Sequence, residues 1–367
     1  MGKNKYYPQE RRNMGFYLDS AAPKTLYRSE VKSPYFVDKS MVLKELFQFM
    51  KTRNKHICIT RPRRFGKTVM TNMIASFFTD AQDSSDIFDH LKIAKDDDYK
   101  TYLNQYKVIQ INFSEMPDEC EDYKKYIRRI NKLLKEDLKE LYPQLKLDYE
   151  DTIKDLLRKI YERTGDEFIF VFDEWDYIFH EWFMTDRDKD EYLAFLSTLL
   201  KDQPYVKMTY MTGILPIAKY SSGSKLNMFV EYTMASEERY SDAFGFTDSE
   251  VDELFKRYQK NTEKQNLTRE DLRIWYDGYH TKSGERMYNP RSVVVALTNN
   301  NLGNYWTNSG PYDEIYSYIE HNVDDVRDDI ALMVSGEAVP ARVREYAAVS
   351  MNLSTRDEIF SAMVVYG

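Results

Sequence analysis

Residues 56–68 read HICITRPRRFGKT: a short β-rich apolar run, a turn, then Gly66-Lys67-Thr68 opening an amphipathic stretch. Strand, turn and helix in that order are the layout of a phosphate-binding loop. Backbone N–H groups at the turn and the helix start form a concave anion site. In that layout Lys67 reaches the β- and γ-phosphates, and Thr68 offers its hydroxyl to Mg²⁺. A bare G-K-T recurs by chance, so the context carries the reading. The strand His56 to Thr60 precedes it, and Val69, Met70, Met73, Ile74 and Phe77 share one side of the helix that follows. One departure stands out. The pattern calls for glycine five residues before Gly66, and Arg61 occupies that place, with Pro62 restricting the backbone behind it.

Residues 168–174 read FIFVFDE, an apolar run that ends directly in Asp173-Glu174. An unbroken apolar run of this length predicts a strand buried on both faces, as in a parallel sheet. Two adjacent carboxylates do not end such a strand for packing reasons, because an unpaired buried charge is costly. In a phosphate-loop hydrolase the first acid holds the Mg²⁺ shell and the second, here Glu174, polarises the attacking water. A solvated strand end is the bland alternative. The two segments together make an ATP-hydrolysing site the favoured reading.

Composition bounds the class. A chain of 367 residues with 42% hydrophobic content has the material for two or three domains with real cores. Its 52 basic residues against 60 acidic ones leave a net −8, which argues against a dedicated nucleic-acid coat while allowing a local basic patch. Cys58 and Cys120 point to neither a disulfide framework nor a zinc site. The opening MGKNKYYPQERR has no apolar core of a signal peptide, and no apolar run reaches membrane-spanning length. Cytoplasm is therefore the default location, with no membrane partner.

Along the chain, residues 1–34 read as a polar, tyrosine-containing arm or edge segment. A helix is predicted from Ser40 to Met50, strands at 108–113, 168–174, 206–214 and 228–234, and helices near 121–140, 149–163 and 189–201. Five strands alternating with helices predict an α/β fold built on a parallel sheet. After Tyr240 the character changes. Thr247 with Glu250 and Thr268 with Asp271 have capping-box spacing, and Pro290 suits a helix's first turn. These signals predict a second, α-rich region over 241–367, after a core at 35–240. The closing IFSAMVVYG places Ile359, Phe360, Met363, Val364 and Val365 close together with no chain beyond to cover them. The expectation is that they dock on a helix or on a further domain past Gly367.

Taken in order, YFVDKS (35–40), RPRRFGKT (61–68), FDEWD (172–176), TGILPIAK (212–219), FGFTDSEV (244–251), WYDGY (275–279) and YNP (288–290) resemble the bacterial AAA-ATPase-like family. The likeness runs from about 35 to 310. Arg61 is similar to that family's own pattern, whereas Met228 in YSSGSKLNM (220–228) replaces its more usual second Asn. The resemblance implies an additional-strand phosphate-loop ATPase core, then a helical, winged-helix-like lid, and often a C-terminal PD-(D/E)XK nuclease-like domain. No nuclease residue is assigned here, so nucleic acid would enter only through such a missing module.

Carried onto this chain, the resemblance implies Lys67 and Glu174 as catalytic residues. Arg61, Pro62, Arg63, Arg64, Phe65, Gly66, Lys67, Thr68 and Thr212 become nucleotide-binding, and Thr68 and Asp173 become Mg²⁺ ligands. Thr212 takes a sensor-like place at a strand end, with a turn-forming threonine as an equal alternative. Arg63 and Arg64 touch phosphates, act on a neighbouring subunit's nucleotide, or are solvated charges. Asp176 orients Glu174 or caps the next helix, with capping favoured. Trp275, Tyr276 and Tyr279 read as core at helical spacing, and His90, His180, His280 and His321 as incidental. The function read from all this is Mg²⁺-dependent ATP hydrolysis regulating an attached or partner module, in a homo-oligomer or with an effector domain. The competing reading is a nucleotide-gated switch that does not hydrolyse. A kinase is disfavoured by Glu174, since an activated water is what a hydrolase needs.

Overall fold

The strand before the loop forms as the sequence predicts. In a computed structural model, β1 (His56–Thr60) is buried at every position and leads into the loop and the helix Lys67–Phe78. The structure describes residues 14–117, 120–148, 150–220, 225–233, 239–281, 283–305, 323–340, 355–357, 359–360 and 363, with the side chains of 218, 219 and 323–325 outside that set. The other strands are β2 (Lys107–Asn112), β3 (Phe168–Asp173), β4 (Val206–Gly213) and β5 (Val230–Thr233). Of the predicted fifth strand, Met234 lies outside the described residues, as do 221–224 of the loop before it.

These five strands form one sheet in the order β2-β3-β4-β1-β5. β2 pairs with β3 and β3 with β4, both in parallel. β4 is thus inserted between the strand that feeds the loop and the strand that ends in the acids. This is the additional-strand arrangement the resemblance implies. All six residues of β3 are buried, which explains why its run is apolar without alternation: both faces are covered. The flanking helices carry local start signals. Asp122, Thr152 and Thr185 each accept a backbone N–H of their own first turn, from Lys125, Asp155 and Asp188.

The outer edge of β2 is covered by the N-terminal segment. Gln110 N donates to Tyr17 O (2.9 Å), Asp19 N donates to Val108 O (2.7 Å), and Leu18 bridges Ile109 in antiparallel fashion. The segment is pinned by the buried Asp137 carboxylate, which accepts N–H groups of Phe16 (2.9 Å), Tyr17 (2.7 Å) and Leu18 (3.0 Å). Gly15 lets the carboxylate in, since a Cβ there would lie 2.4 Å from Asp137 Cγ.

By its contacts the chain divides into two units: Met1–Cys58, Thr68–Thr212 and Lys225–Val230 in the first, and Ile59–Lys67, Gly213–Ser224 and Glu231–Gly367 in the second. The loop after β1 therefore clusters with the C-terminal residues. Beyond Tyr240 the second unit holds a small antiparallel sheet, β6 (Phe246–Thr247), β7 (Asp277–His280) and β8 (Arg286–Tyr288), in the order β6-β8-β7. The helices Asp248–Asn261, Arg269–Tyr276 and Pro290–Asn299 accompany it. Both predicted capping boxes are present. Arg269 joins two of the helices through Asp248 and Asp252, each at 2.6 Å.

The short sheet corrects the all-helical reading of WYDGY. The helix stops at Tyr276 and the chain passes directly into β7 at Asp277, so Tyr279 stands on a strand. Trp275 is 43% exposed and only Tyr276 of the three is core. Ile359 and Phe360 are buried, while Val364 and Val365 lie outside the described residues, as does His321.

Candidate active site

In the first unit, the acids sit where the buried strand ends. Asp173 is 1% exposed, and burying a carboxylate demands hydrogen-bond donors. Its Oδ1 accepts Glu174 N (3.1 Å). Its Oδ2 lies 3.4 Å from Thr71 Oγ1, a hydroxyl that also donates to Thr68 O at 2.9 Å. Thr71 is fully buried and one turn along the helix from Thr68, on the same face. It joins the first turn of the loop's helix to the acidic strand end. The sequence reading missed Thr71; its spacing of three from Thr68 was the available signal.

Glu174 adopts φ +48°, a left-handed conformation that costs a non-glycine residue about 1–2 kcal/mol. The turn that imposes it is tied down on both sides. Trp175 N donates to Thr212 O (3.1 Å), Tyr177 N donates to Glu174 O (3.0 Å), and Tyr192 Oη donates to Trp175 O (2.8 Å). Trp175 is completely buried, which anchors the turn, while Glu174 itself stays partly open to solvent. Strain held by surrounding packing is a mark of functional positions. Asp176 stands at the N-cap of a short 3-10 turn (Tyr177–His180) but makes no side-chain capping bond, so the favoured capping role fails.

Thr212 is fully buried at the end of β4, and its Oγ1 has no hydrogen-bond partner among the described residues. A turn-forming threonine would spend that hydroxyl on nearby backbone. Leaving it unpaired costs about 1–3 kcal/mol.

The loop Ile59–Lys67 is built by residues of the second unit. Lys67 Nζ donates to Arg61 O (3.1 Å) and Pro62 O (3.0 Å). Arg64 and Gly66 have φ of +67° and +88°, and backbone bent in this way turns successive N–H groups inward to make an anion-binding concavity. A Cβ added at Gly66 would meet nothing within 4 Å, so the loop is open there. Arg64 is exposed and Arg63 half-buried, its carbonyl accepting Asn289 Nδ2 at 3.3 Å. Pro62 is buried. Arg61 and Phe65, 2% and 1% exposed, spend their side chains on packing and carbonyl contacts.

A family model described as a predicted AAA-ATPase matches residues 28–222, more than half of the chain. The chain belongs to the AAA-ATPase-like family. The match covers the loop, the acidic strand end and Thr212. A protein from Azotobacter chroococcum mcd 1, described as an uncharacterized protein in the vnfD 5' region, is 24% identical over 281 residues. That alignment takes in 75% of this chain and 51% of the relative, so the chain spans about half the length of the curated relative it matches. Family membership points to ATP binding and, at the coarse level, to an ATPase. Among the described residues no helix is long and apolar enough to cross a membrane, and no three His, Cys, Asp or Glu side chains group as a metal cluster.

Proposed function

We propose that this protein binds ATP with Mg²⁺ at the loop 61–68 and hydrolyses its terminal phosphoanhydride. The observation that carries the reading is the buried Asp173 at the end of β3, whose Oδ2 lies 3.4 Å from Thr71 Oγ1, a hydroxyl shared with the carbonyl of Thr68 one turn earlier on its helix. The oxygen donors Thr68 and Asp173 suit Mg²⁺, a hard cation held by one or two carboxylates and phosphate oxygens. When bound, the ion would neutralise charge on the β- and γ-phosphates.

The chain's own residues supply the rest. The Lys67 ammonium binds the β- and γ-phosphates, and the backbone N–H groups about Gly66 bind the phosphate oxygens. Glu174 orients the attacking water and accepts its proton. Thr212 offers its hydroxyl to the water or the γ-phosphate. Arg63 and Arg64 add positive charge at the loop, toward this nucleotide or a neighbouring subunit's. We read the consequence of turnover as regulation of an attached or partner module, nuclease-like by resemblance, in the cytoplasm.

Phosphate release by the purified protein tests the reading. Mg²⁺-dependent release that Glu174→Gln suppresses supports hydrolysis. Tight ATP binding without release, with candidate partners present, replaces it with a non-hydrolysing switch. Absence of ATP binding removes both.

A further inference from the structure

Arg61 stands where other phosphate loops place a turn-forming glycine, and its backbone and both terminal guanidinium nitrogens are committed. Its N–H donates to Gly213 O (3.1 Å), and its carbonyl accepts Lys67 Nζ (3.1 Å). The guanidinium donates to the carbonyls of Thr60 (2.8 Å), Tyr232 (3.0 Å) and Tyr240 (3.0 Å). Its carbon lies 5.1 Å from the centre of the Phe244 ring. Only a planar fork of fixed donors satisfies several carbonyls at once while stacking on an aromatic face. To bind a phosphate with its side chain, Arg61 would have to surrender these buried acceptors.

Four residues on, Phe65 makes a second anchor. Its ring meets Tyr279 edge-on at 4.6 Å, and its carbonyl accepts Gly245 N at 3.3 Å. Gly245 has φ +77°, and a Cβ there would come within 3.0 Å of Phe65 Cε1 and 2.9 Å of Met287 Cε. The second unit thus grips the loop at both ends of the stretch that carries Arg63 and Arg64. It does so with residues of the FGF, WYDGY and YNP segments, which have no chemistry of their own.

We propose that Arg61 is a positioning residue, not a phosphate ligand: clamped by second-unit carbonyls and aided by Phe65, it sets the backbone of the loop and the place of Lys67 for a nucleotide's phosphates. The proposal rests on the nucleotide-binding reading above.

The test compares ATP and ADP affinity in wild type, Arg61→Lys, Arg61→Met and Tyr279→Leu, with Tm recorded for each. A positioning role predicts that the Lys and Met variants lose affinity alike, on the order of ten-fold or more, since small misplacements near a reacting group are expensive. The loss is equal for ATP and ADP, because the whole loop moves. A phosphate ligand would behave otherwise: Arg61→Lys near wild type, and ATP losing more than ADP. Either result overturns the proposal, as does a lowered Tm with unchanged affinity, the mark of a merely structural arginine. If the Arg61 variants do not fold, Tyr279→Leu decides, with a several-fold equal loss supporting the role and wild-type affinity refuting it. Wild type that binds neither nucleotide removes the proposed function itself. Wild type that binds while every variant matches it removes the positioning role alone.

Discussion

At the end of β3, acidic groups are held by their own neighbourhood: Asp173 by the next residue's N–H and a threonine of the packed helix, Glu174 by a turn stapled to β4. In the loop after β1, the basic Arg61 is held by residues far along the chain, through the carbonyls of Tyr232 and Tyr240 and the ring of Phe244, and its neighbour Phe65 by the ring of Tyr279. The two regions teach that buried charge is stabilised by whatever partners surround it, and those partners need not be local. The acids gain rigidity from the sheet. The loop's geometry is borrowed from the second unit, so a substitution remote in sequence can reach it.

Lys67→Ala gives the largest expected effect and tests whether the loop deserves its side of the comparison. Removing one partner of a charged contact costs about 2–5 kcal/mol, so ATP affinity by calorimetry should fall on the order of a hundred-fold or more. Unchanged affinity would leave the loop a structural turn. Glu174→Gln probes the acidic side: binding should persist while phosphate release drops by about 10²-fold or more, the scale of a lost general base. Equal turnover in the variant would move the base elsewhere.

A third measurement concerns the strand that leads into the loop. His56 is buried, its Nδ1 3.1 Å from Thr209 Oγ1, and burial, with the Lys55 charge beside it, lowers its pKa from 6.5 to about 4. The folded state then binds fewer protons than the unfolded one between those values. Its stabilising share is complete above about pH 6.5 and is lost as pH falls toward 4. At about 1.4 kcal/mol per pKa unit the loss is on the order of 2–3 kcal/mol. Urea midpoints from pH 7 to 4 should show it, and His56→Gln should flatten that part of the curve.

The smallest effect is expected of Thr71→Val, an isosteric change that deletes the hydroxyl between Thr68 and Asp173. A net hydrogen bond of about 0.5–1.5 kcal/mol translates into a loss of up to about ten-fold in apparent Mg²⁺ affinity during turnover, with Thr71→Ser restoring it. A Thr71→Val protein with wild-type Mg²⁺ dependence would dissolve the link between helix and strand.

Much of the first unit was legible because its signals are local and periodic. FIFVFDE announces a strand buried on both faces, GKT a helix start, and each strand is long enough to show its pattern. The second unit was less so. Its strands run from two to four residues, too short for a period of two to register, which is how Tyr279 passed for a helical residue. The clamp on Arg61 was invisible for another reason: main-chain carbonyls are the same in every residue, so no side-chain pattern advertises them. Thr71 was readable but overlooked, and the cap assigned to Asp176 failed because an N-cap position does not guarantee the bond.

The strip of chain from Gly15 to Asp19 also has a practical bearing. β2 closes one end of the sheet, and without that strip its row of N–H and C=O groups would be a template for another molecule's strand. A version of the protein started after residue 20, or one carrying Asp137→Ala, should therefore self-associate through β2 during expression and concentration. What reads as a polar arm is, in handling terms, the protein's safeguard against fibres and swapped dimers.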